Sequence, residues 1–264
     1  MQMFPSKLSE AKFFHAKVTL LSQYDRIVTQ IKEKLTESQA NLFKKSCFGC
    51  LVYEAPDLKF APQLCHQILL READCESIRT DAMWFNLFGT SARFGPEEFS
   101  VITGLGLGDF KASMSELSSK GDEPRILSVF KPKGKLTYAG VLDCFKAKKV
   151  GEDVAVADQD VADKEMVSIA LLAFLLGALI PREGKTFVDT CFLHLSEDVE
   201  AWNKFPWGSL CYSKTAESLQ RAVPKGLLQK DKEWRTYSLG GFPYAFQVIH
   251  HSFNVWLIST IGHH

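Results

Sequence analysis

The sequence predicts a mainly α-helical, α+β fold with one small β-hairpin, arranged as a compact two-lobed helical domain. Apolar residues recur three and four positions apart along much of the chain, which is the spacing of one helix face. Several prolines stand where helices are predicted to begin, and a missing N–H costs nothing at that position. Hydrophobic residues make up 46% of the 264 residues, which is enough for a substantial core.

The hairpin and the helix after it are predicted from the stretch between residues 84 and 108. An aromatic run at 84–88 and a shorter run at 92–94 flank Gly89, which favours two strands joined by a turn. A Gly-Pro pair at Gly95 then suits a helix start, with two glutamates in the first turn. Gly104 is placed to end that helix in the left-handed conformation.

Further elements follow from apolar spacing and capping residues. A strand is predicted at 17–22, followed by a helix with Tyr24, Ile27, Val28, Ile31 and Leu35 on one face. A second helix begins with a Thr36–Gln39 capping box. Further helices are predicted to start at Pro62 and Pro243 and to cover 138–145, 166–180, 197–204 and 215–223. The 166–180 segment is apolar on all sides but short for a membrane crossing, so we predict a fully buried helix.

The polar stretches between these elements predict the domain organisation. Residues 111–123 contain few large apolar side chains, which indicates an exposed connection. We therefore predict an N-terminal helical lobe with the hairpin over 1–110 and a C-terminal helical lobe over 124–264. The acidic stretch 150–165 is predicted as a second solvated segment.

Charge and cysteine content narrow the function classes. There are 31 basic and 31 acidic residues, so the net charge is zero and bulk electrostatics gives no reason to expect nucleic acid or a membrane as partner. Seven cysteines, an odd number, suit free thiols in a reducing compartment better than a disulfide framework. The start lacks the apolar core of a signal peptide. We expect an intracellular protein.

Three patterns resemble cofactor or metal sites, and each is more simply explained by structure. A zinc site built from Cys47, Cys50, Cys65, His66 and Cys75 lacks a second pair at the right spacing, so buried free thiols are favoured. The glycines at 104, 106 and 108 close a helix instead of opening one, unlike a phosphate loop. The acidic residues at 158, 160, 163 and 165 do not follow a calcium-loop pattern. No catalytic, metal or cofactor site is predicted.

One segment concentrates positive charge. Its lysines are the candidate nucleic-acid contacts of the chain, since phosphate contacts by lysine need no sequence specificity: Lys131, Lys133, Lys135, Lys146, Lys148 and Lys149. A plain solvated face is the favoured interpretation.

Six sequence blocks resemble a known family. They are ANLFKKSCFG, LKFAPQLCHQILLRE, RFGPEEFSVITGLGLG, LAFLLGALIP, FPWGSL and YSLGGFPYAFQV. In order and spacing they resemble the plant domain of unknown function DUF1985, over roughly Lys17 to Ile258. The chain departs from the family pattern at Gly95, where serine would be expected. The resemblance implies the N-terminal part of a transposon-derived protein, often followed by a SUMO-protease-type domain, with the nucleus as one location.

The protease chemistry of that neighbouring domain needs His, Asp, Gln and Cys in that chain order. Cys211 is preceded by His194 and Asp198, with no glutamine between Asp198 and Cys211. None of the catalytic residues can therefore be carried over.

The leading prediction is a non-catalytic domain, without cofactor, that binds an unknown protein partner or acts as an accessory in a transposon-derived plant protein, with no membrane contact. A nucleic-acid-binding accessory domain is the first alternative. A truncated N-terminal part of a SUMO-protease-like protein, lacking its catalytic domain, is the second. Zero net charge favours the protein partner over nucleic acid.

Overall fold

The computed structural model describes residues 4–74, 81–87, 89–119, 122–132, 134–147 and 159–249. The helices in these ranges are α1 (Tyr24–Lys34), α2 (Glu37–Lys44), α3 (Gly49–Tyr53), α4 (Pro62–Leu69), α5 (Pro96–Thr103), α6 (Phe110–Ser118), α7 (Leu127–Phe130), α8 (Tyr138–Ala147), α9 (Gln159–Phe174), α10 (Thr190–Ser196), α11 (Val199–Lys204), α12 (Trp207–Leu227) and α13 (Pro243–Gln247). The strands are β1 (His15–Leu20), β2 (Met83–Leu87), β3 (Thr90–Phe94) and β4 (Trp234–Leu239). The prediction of a mainly α fold with a small hairpin is confirmed.

The chain forms two compact units that alternate along the sequence. The first unit comprises residues 1–21, 58–103 and 211–264, and the second comprises 22–57 and 104–210. Both predicted lobes contribute residues to each unit, while the lobe boundaries themselves stay a prediction. No helix in the described part of the chain is long and apolar enough to cross a membrane.

In the first unit, a two-stranded parallel sheet joins the two ends of the chain. β1 pairs with β4 from His15 opposite Trp234 to Leu20 opposite Leu239. Side chains alternate between a buried and an exposed face, as the period of two requires. The strand predicted at 17–22 is β1, which begins and ends two residues earlier, whereas β4 was not predicted.

The predicted hairpin is confirmed as β2 and β3, which pair antiparallel around Gly89 at φ 78°. The predicted helix follows as α5. Glu98 accepts a hydrogen bond from the Gly95 N–H at 2.7 Å, and Gly104, at φ 72°, ends the helix as expected. The Phe94 ring packs edge-on against those of Phe99, Tyr212 and Phe246. These rings place the hairpin within the aromatic core of the first unit.

The second unit is organised around α9 and the π-helical turn Leu175–Leu179 that follows it. Every residue from Met166 to Ile180 is buried, which confirms the predicted all-round core helix. Phe174 from α9 packs against Phe48, whose ring centroid lies 5.3 Å from that of Trp202. Trp207 completes this cluster, and its Nε1–H donates to the Trp202 carbonyl at 2.7 Å.

Three predictions of local structure need correction. The stretch 159–165 was predicted as a solvated acidic segment, but it forms the first turns of α9, because its carboxylates find partners near the positive end of the helix dipole. The stretch 111–123 contains α6, capped by Asp109 and without a buried residue. The helix predicted over 215–223 is the 21-residue α12, which includes Pro224 in its last turn.

Candidate functional site

A groove on the second unit is the candidate site. It has a volume of about 1040 Å³. We name it the Phe187 groove and define it by the lining residues that matter for binding: Glu123, Arg125, Lys135, Leu136, Phe187, Val188, Asp189 and Leu193. This volume lies at the upper end of small-ligand pockets, so it could hold several residues of a peptide.

Buried aliphatic side chains contribute to the lining of the groove. Leu136, Val188 and Leu193 are 6%, 8% and 1% exposed. Two backbone hydrogen bonds hold the first two in place. The Val188 N–H donates to the Leu136 carbonyl, and the Tyr138 N–H donates to the Thr186 carbonyl, each at 2.9 Å. This short antiparallel bridge gives the lining a rigid backbone.

Phe187 is the exposed aromatic residue of the groove. Phe187 is 60% exposed, although its neighbour Val188 is buried. Thr186 and Val188 form backbone hydrogen bonds with the 136–138 segment. Because side chains alternate along an extended segment, the Phe187 side chain points to the face opposite that of Val188. The Lys135 ammonium lies 5.8 Å from the Phe187 ring centroid, which is within cation–π range.

Arg125 is the second cation of the groove. The Ile126 N–H donates to Glu197 at 2.7 Å, which fixes the backbone next to Arg125. The Arg125 side chain is 90% exposed, and its Nε lies 3.6 Å from the same Glu197 carboxylate. Such a loose surface pair contributes little to stability, so Arg125 can exchange it for another anion at small cost.

Two carboxylates, Asp189 and Glu123, also line the groove. Asp189 is the N-cap of α10 and accepts a hydrogen bond from the Cys191 N–H at 3.0 Å. Its charge therefore stabilises the start of that helix. Glu123 remains as an exposed acid among the lining residues. The described lining therefore carries two cations, Arg125 and Lys135, and two carboxylates, of which Asp189 is engaged at the start of α10.

A second groove, of about 730 Å³, shares Arg125 and Ser128 with the first. Its lining includes three glutamates, one aspartate and several aliphatic side chains. Asp198 in this lining is the N-cap of α11 and accepts hydrogen bonds from the N–H groups of Glu200 and Ala201. Neither groove contains a histidine or a cysteine among its described lining residues, so neither pairs a thiol nucleophile with an imidazole base.

The structure describes three of the six candidate lysines. Lys135 lines the Phe187 groove, and Lys131, at φ 43°, is an exposed residue of the loop leading to it. Lys146 lies on α8 and forms an ion pair with Asp143 at 3.1 Å. The other candidates, Lys133, Lys148 and Lys149, lie outside the described residues.

The cysteines weighed as zinc ligands have separate environments. Burial raises the pKa of Cys47 and of Cys65 to about 12, whereas Cys50 is exposed. His66 is buried, with its ring nitrogens 2.7 Å from the Tyr237 hydroxyl and 2.6 Å from the Phe14 carbonyl. Cys75 lies outside the described residues. Within the described ranges, no three His, Cys, Asp or Glu side chains are grouped so as to hold a metal ion.

The glycine run and the acidic run both have structural roles. Gly208 at the start of α12 donates its N–H to the Gly106 carbonyl at 2.8 Å, and a Cβ on Gly208 would lie 2.5 Å from the Leu105 carbonyl oxygen. The loop that holds the glycine run therefore receives the start of α12, and the residue that must lack a Cβ for this close approach is Gly208. In the acidic run, Asp163 accepts from the Gln39 side chain at 2.9 Å, and this bond is the main reason that its pKa is lowered.

Phe187 is the residue that sequence analysis missed. It follows Lys185 and Thr186 in a stretch without helical or alternating periodicity, so nothing local separates it from a core phenylalanine. Lys135, whose ammonium lies near the Phe187 ring, is 52 positions away in sequence, so no local pattern joins the two residues.

A protein-family model described as a domain of unknown function, DUF1985, matches residues 69–218. The match covers 150 of the 264 residues, and all residues that line the Phe187 groove fall within it. No curated protein and no solved structure matches the chain. The chain belongs to the DUF1985 family.

Proposed function

We propose that the chain is a non-catalytic protein-interaction domain that binds an acidic, extended peptide segment of a partner protein in the Phe187 groove. The observation that carries this proposal is that Phe187 is 60% exposed, with the Lys135 ammonium 5.8 Å from its ring centroid and the exposed Arg125 lining the same groove. A partner that covers the ring would remove apolar surface from water at the centre of a charged rim. This arrangement is typical of protein interfaces.

The chemistry of the groove favours a peptide over a small ligand or nucleic acid. Buried aliphatic side chains such as Leu136 and Leu193 reward an apolar anchor, which a phosphate backbone does not provide. The two cations select for aspartate or glutamate next to that anchor, since Arg in particular pairs with carboxylates in a bidentate manner. Among the predicted nucleic-acid contacts, Lys146 already pairs with Asp143.

We propose no catalytic role for His194 or Asp198. His194 lies on α10, and the Asp198 carboxylate caps α11, so Asp198 is committed to a structural role. The resemblance to DUF1985 adds a transposon-derived plant protein with a SUMO-protease-type neighbour as the setting, in the nucleus or elsewhere in the cell. It also keeps the truncated form of such a protein as an alternative.

Fluorescence polarisation with designed peptides tests the peptide groove. We would use a labelled acidic peptide with one central tryptophan, a copy with lysine replacing every acid, and a copy with serine replacing tryptophan. We expect the wild type to bind the acidic peptide at least ten-fold more tightly than either copy, because a lost tryptophan anchor, or several ion pairs turned into like-charge contacts, costs more than about 1.4 kcal/mol.

Variants assign the binding to the groove. Phe187→Ser and the double change Arg125→Glu with Lys135→Glu should each weaken acidic-peptide binding at least ten-fold. Val101→Ser is the matched control, since Val101 is an 85% exposed apolar residue outside the groove. Equal losses in the control and the groove variants would refute the proposal. Salt-dependent binding of duplex DNA that is lost with Lys131 and Lys135 would favour the nucleic-acid alternative.

A further inference from the structure

A side chain occupies the outer edge of β4. The Gln229 Nε2 donates to the Thr236 carbonyl at 2.8 Å, and the Thr236 N–H donates to the Gln229 Oε1 at 3.0 Å. A carboxamide has the same donor and acceptor as a peptide group. Gln229 therefore makes the pair of hydrogen bonds that a residue of an adjoining strand would make to Thr236.

The register shows that this edge faces away from β1. The Leu239 carbonyl accepts a hydrogen bond from Leu21, so Leu239 directs its backbone groups toward β1. Backbone groups of alternate residues point to the same edge of a strand, which directs those of Thr236 to the opposite edge. In the described part of the chain, β1 is the one strand that pairs with β4.

Different groups cover the two outer edges of this sheet. On the β1 side, α4 covers the edge, where His66 bonds to the Phe14 carbonyl and Gln63 donates to the Ala16 carbonyl at 3.1 Å. On the β4 side, Gln229 bonds to one residue of the six-residue strand, and just beyond the strand the Gly240 N–H donates to the Ser218 hydroxyl of α12 at 2.7 Å. An edge strand is a template for pairing with another chain unless something blocks it.

The surroundings of the β4 edge suit an added strand. Trp234 is 53% exposed, and Leu228, next to Gln229 in sequence, is 84% exposed. Thr236 and Ser238 are exposed on the same face of β4 as Trp234. An incoming strand would therefore gain apolar contact with Trp234 and Leu228, in addition to main-chain hydrogen bonds.

We propose that β4 binds an extended peptide segment of a partner protein by strand addition, and that Gln229 occupies the binding edge until such a segment displaces it. Main-chain hydrogen bonds supply the affinity in this mode, and alternate side chains supply the specificity. A segment of a partner displaces one Gln229 side chain. Pairing between two copies of this chain through β4 would displace two, and therefore favours the partner segment as occupant.

The test compares two methionine substitutions that remove a carboxamide but keep a similar volume. Gln229→Met frees the β4 edge, whereas Gln63→Met removes the hydrogen bond on the covered β1 edge. The probe is a labelled eight-residue peptide of alternating threonine and valine with two glutamates at one end for solubility. We expect Gln229→Met to bind it about ten-fold more tightly than the wild type, the factor that corresponds to the loss of two competing hydrogen bonds. Gln63→Met should bind like the wild type.

A backbone-blocked probe separates strand addition from adhesion to exposed Trp234. The same peptide with N-methylated valines lacks alternate N–H donors, and we expect its binding to Gln229→Met to fall at least ten-fold. Equal binding of both peptides, equal gains in the two methionine variants, or no binding to Gln229→Met would overturn the proposal. Concentration-dependent dimerisation of Gln229→Met in sedimentation would also overturn it, because a second copy would then be the occupant.

Discussion

His66 Nδ1 lies 2.7 Å from the Tyr237 hydroxyl, in a fully buried contact between α4 and β4. The other ring nitrogen lies 2.6 Å from the Phe14 carbonyl, which can only accept a hydrogen bond. His66 therefore carries its proton on Nε2, and its Nδ1 accepts a hydrogen bond that the Tyr237 hydroxyl donates. A neutral histidine thus links α4 to β4 and to the residue that precedes β1.

This link predicts a loss of stability in mild acid. Burial is the main cause that lowers the pKa of His66 below its ordinary value. The unfolded chain therefore binds the proton more readily, so the stabilisation is complete above about pH 6.5 and is lost as the pH falls toward the folded-state pKa. Urea denaturation across that pH range measures it. We expect His66→Gln to flatten the dependence, and an identical slope in wild type and variant would contradict the assignment.

The core role of the π-helical turn is tested by a charge substitution. Leu175 is 0% exposed, and Leu175→Asp should destabilise the chain by more than about 4 kcal/mol, because an unpaired carboxylate would lose its hydration there. Val161→Asp is the control on α9, where Val161 is 43% exposed and lies in the first turn. Thermal melts should show the control within a few degrees of the wild type. Similar melting temperatures for the two variants would exclude a core position for Leu175.

The pair formed by Gln39 and Asp163 should stabilise α2 and α9 together. Gln39 completes the capping box with Thr36 and donates to Asp163, whose lowered pKa follows mainly from this bond. A lowered carboxyl pKa contributes stability above the unfolded value, near 4, and that stability is lost as the pH falls. Gln39→Ala should cost about 1–2 kcal/mol near neutral pH.

A double-mutant cycle checks that coupling. Denaturation of Gln39→Ala, Asp163→Ala and the double variant should give a coupling energy of at least about 0.5 kcal/mol near neutral pH and a smaller one near pH 3. Additive effects at both pH values would show that the 2.9 Å contact does not contribute to stability.

Thiol reactivity should rank the cysteines by exposure. Of the six that the structure describes, Cys50 is exposed, and burial raises the pKa of Cys47 and Cys65 to about 12. A chromogenic disulfide reagent at neutral pH should therefore modify Cys50 first, and Cys65 only after unfolding, because the thiolate is the reactive form. Mass spectrometry of the labelled peptides gives the order, with Cys50→Ser as control. Rapid labelling of native Cys65 would contradict its burial.

The same cysteines bear on metal binding. We expect less than one zinc ion per chain in elemental analysis after gel filtration, since the Cys47 and Cys50 pair lacks two further ligands within the described residues. Stoichiometric zinc that is lost together with folding in Cys50→Ala would prove this expectation wrong.

The sequence by itself determined the elements whose causes are local. The Thr36–Gln39 capping box, the left-handed Gly104 and the apolar run ending at Ile180 each depend on residues within a few turns of one another. Capping, backbone conformation and full burial leave patterns at that range, so they can be read without coordinates. The neutral charge and the scattered cysteines likewise limited the function classes.

The tertiary structure decided everything that depends on distant residues. Thr19 and Ser238 share a hydrogen bond across β1 and β4 although they are 219 positions apart, and no local pattern encodes that pairing. Whether Phe187 is core or surface depends on what packs over it, and Lys135 reaches its ring only through the fold. The Gln229 side chain is an ordinary loop amide in sequence. It becomes a strand surrogate only because folding places the backbone groups of Thr236 toward the edge of β4 that faces away from β1.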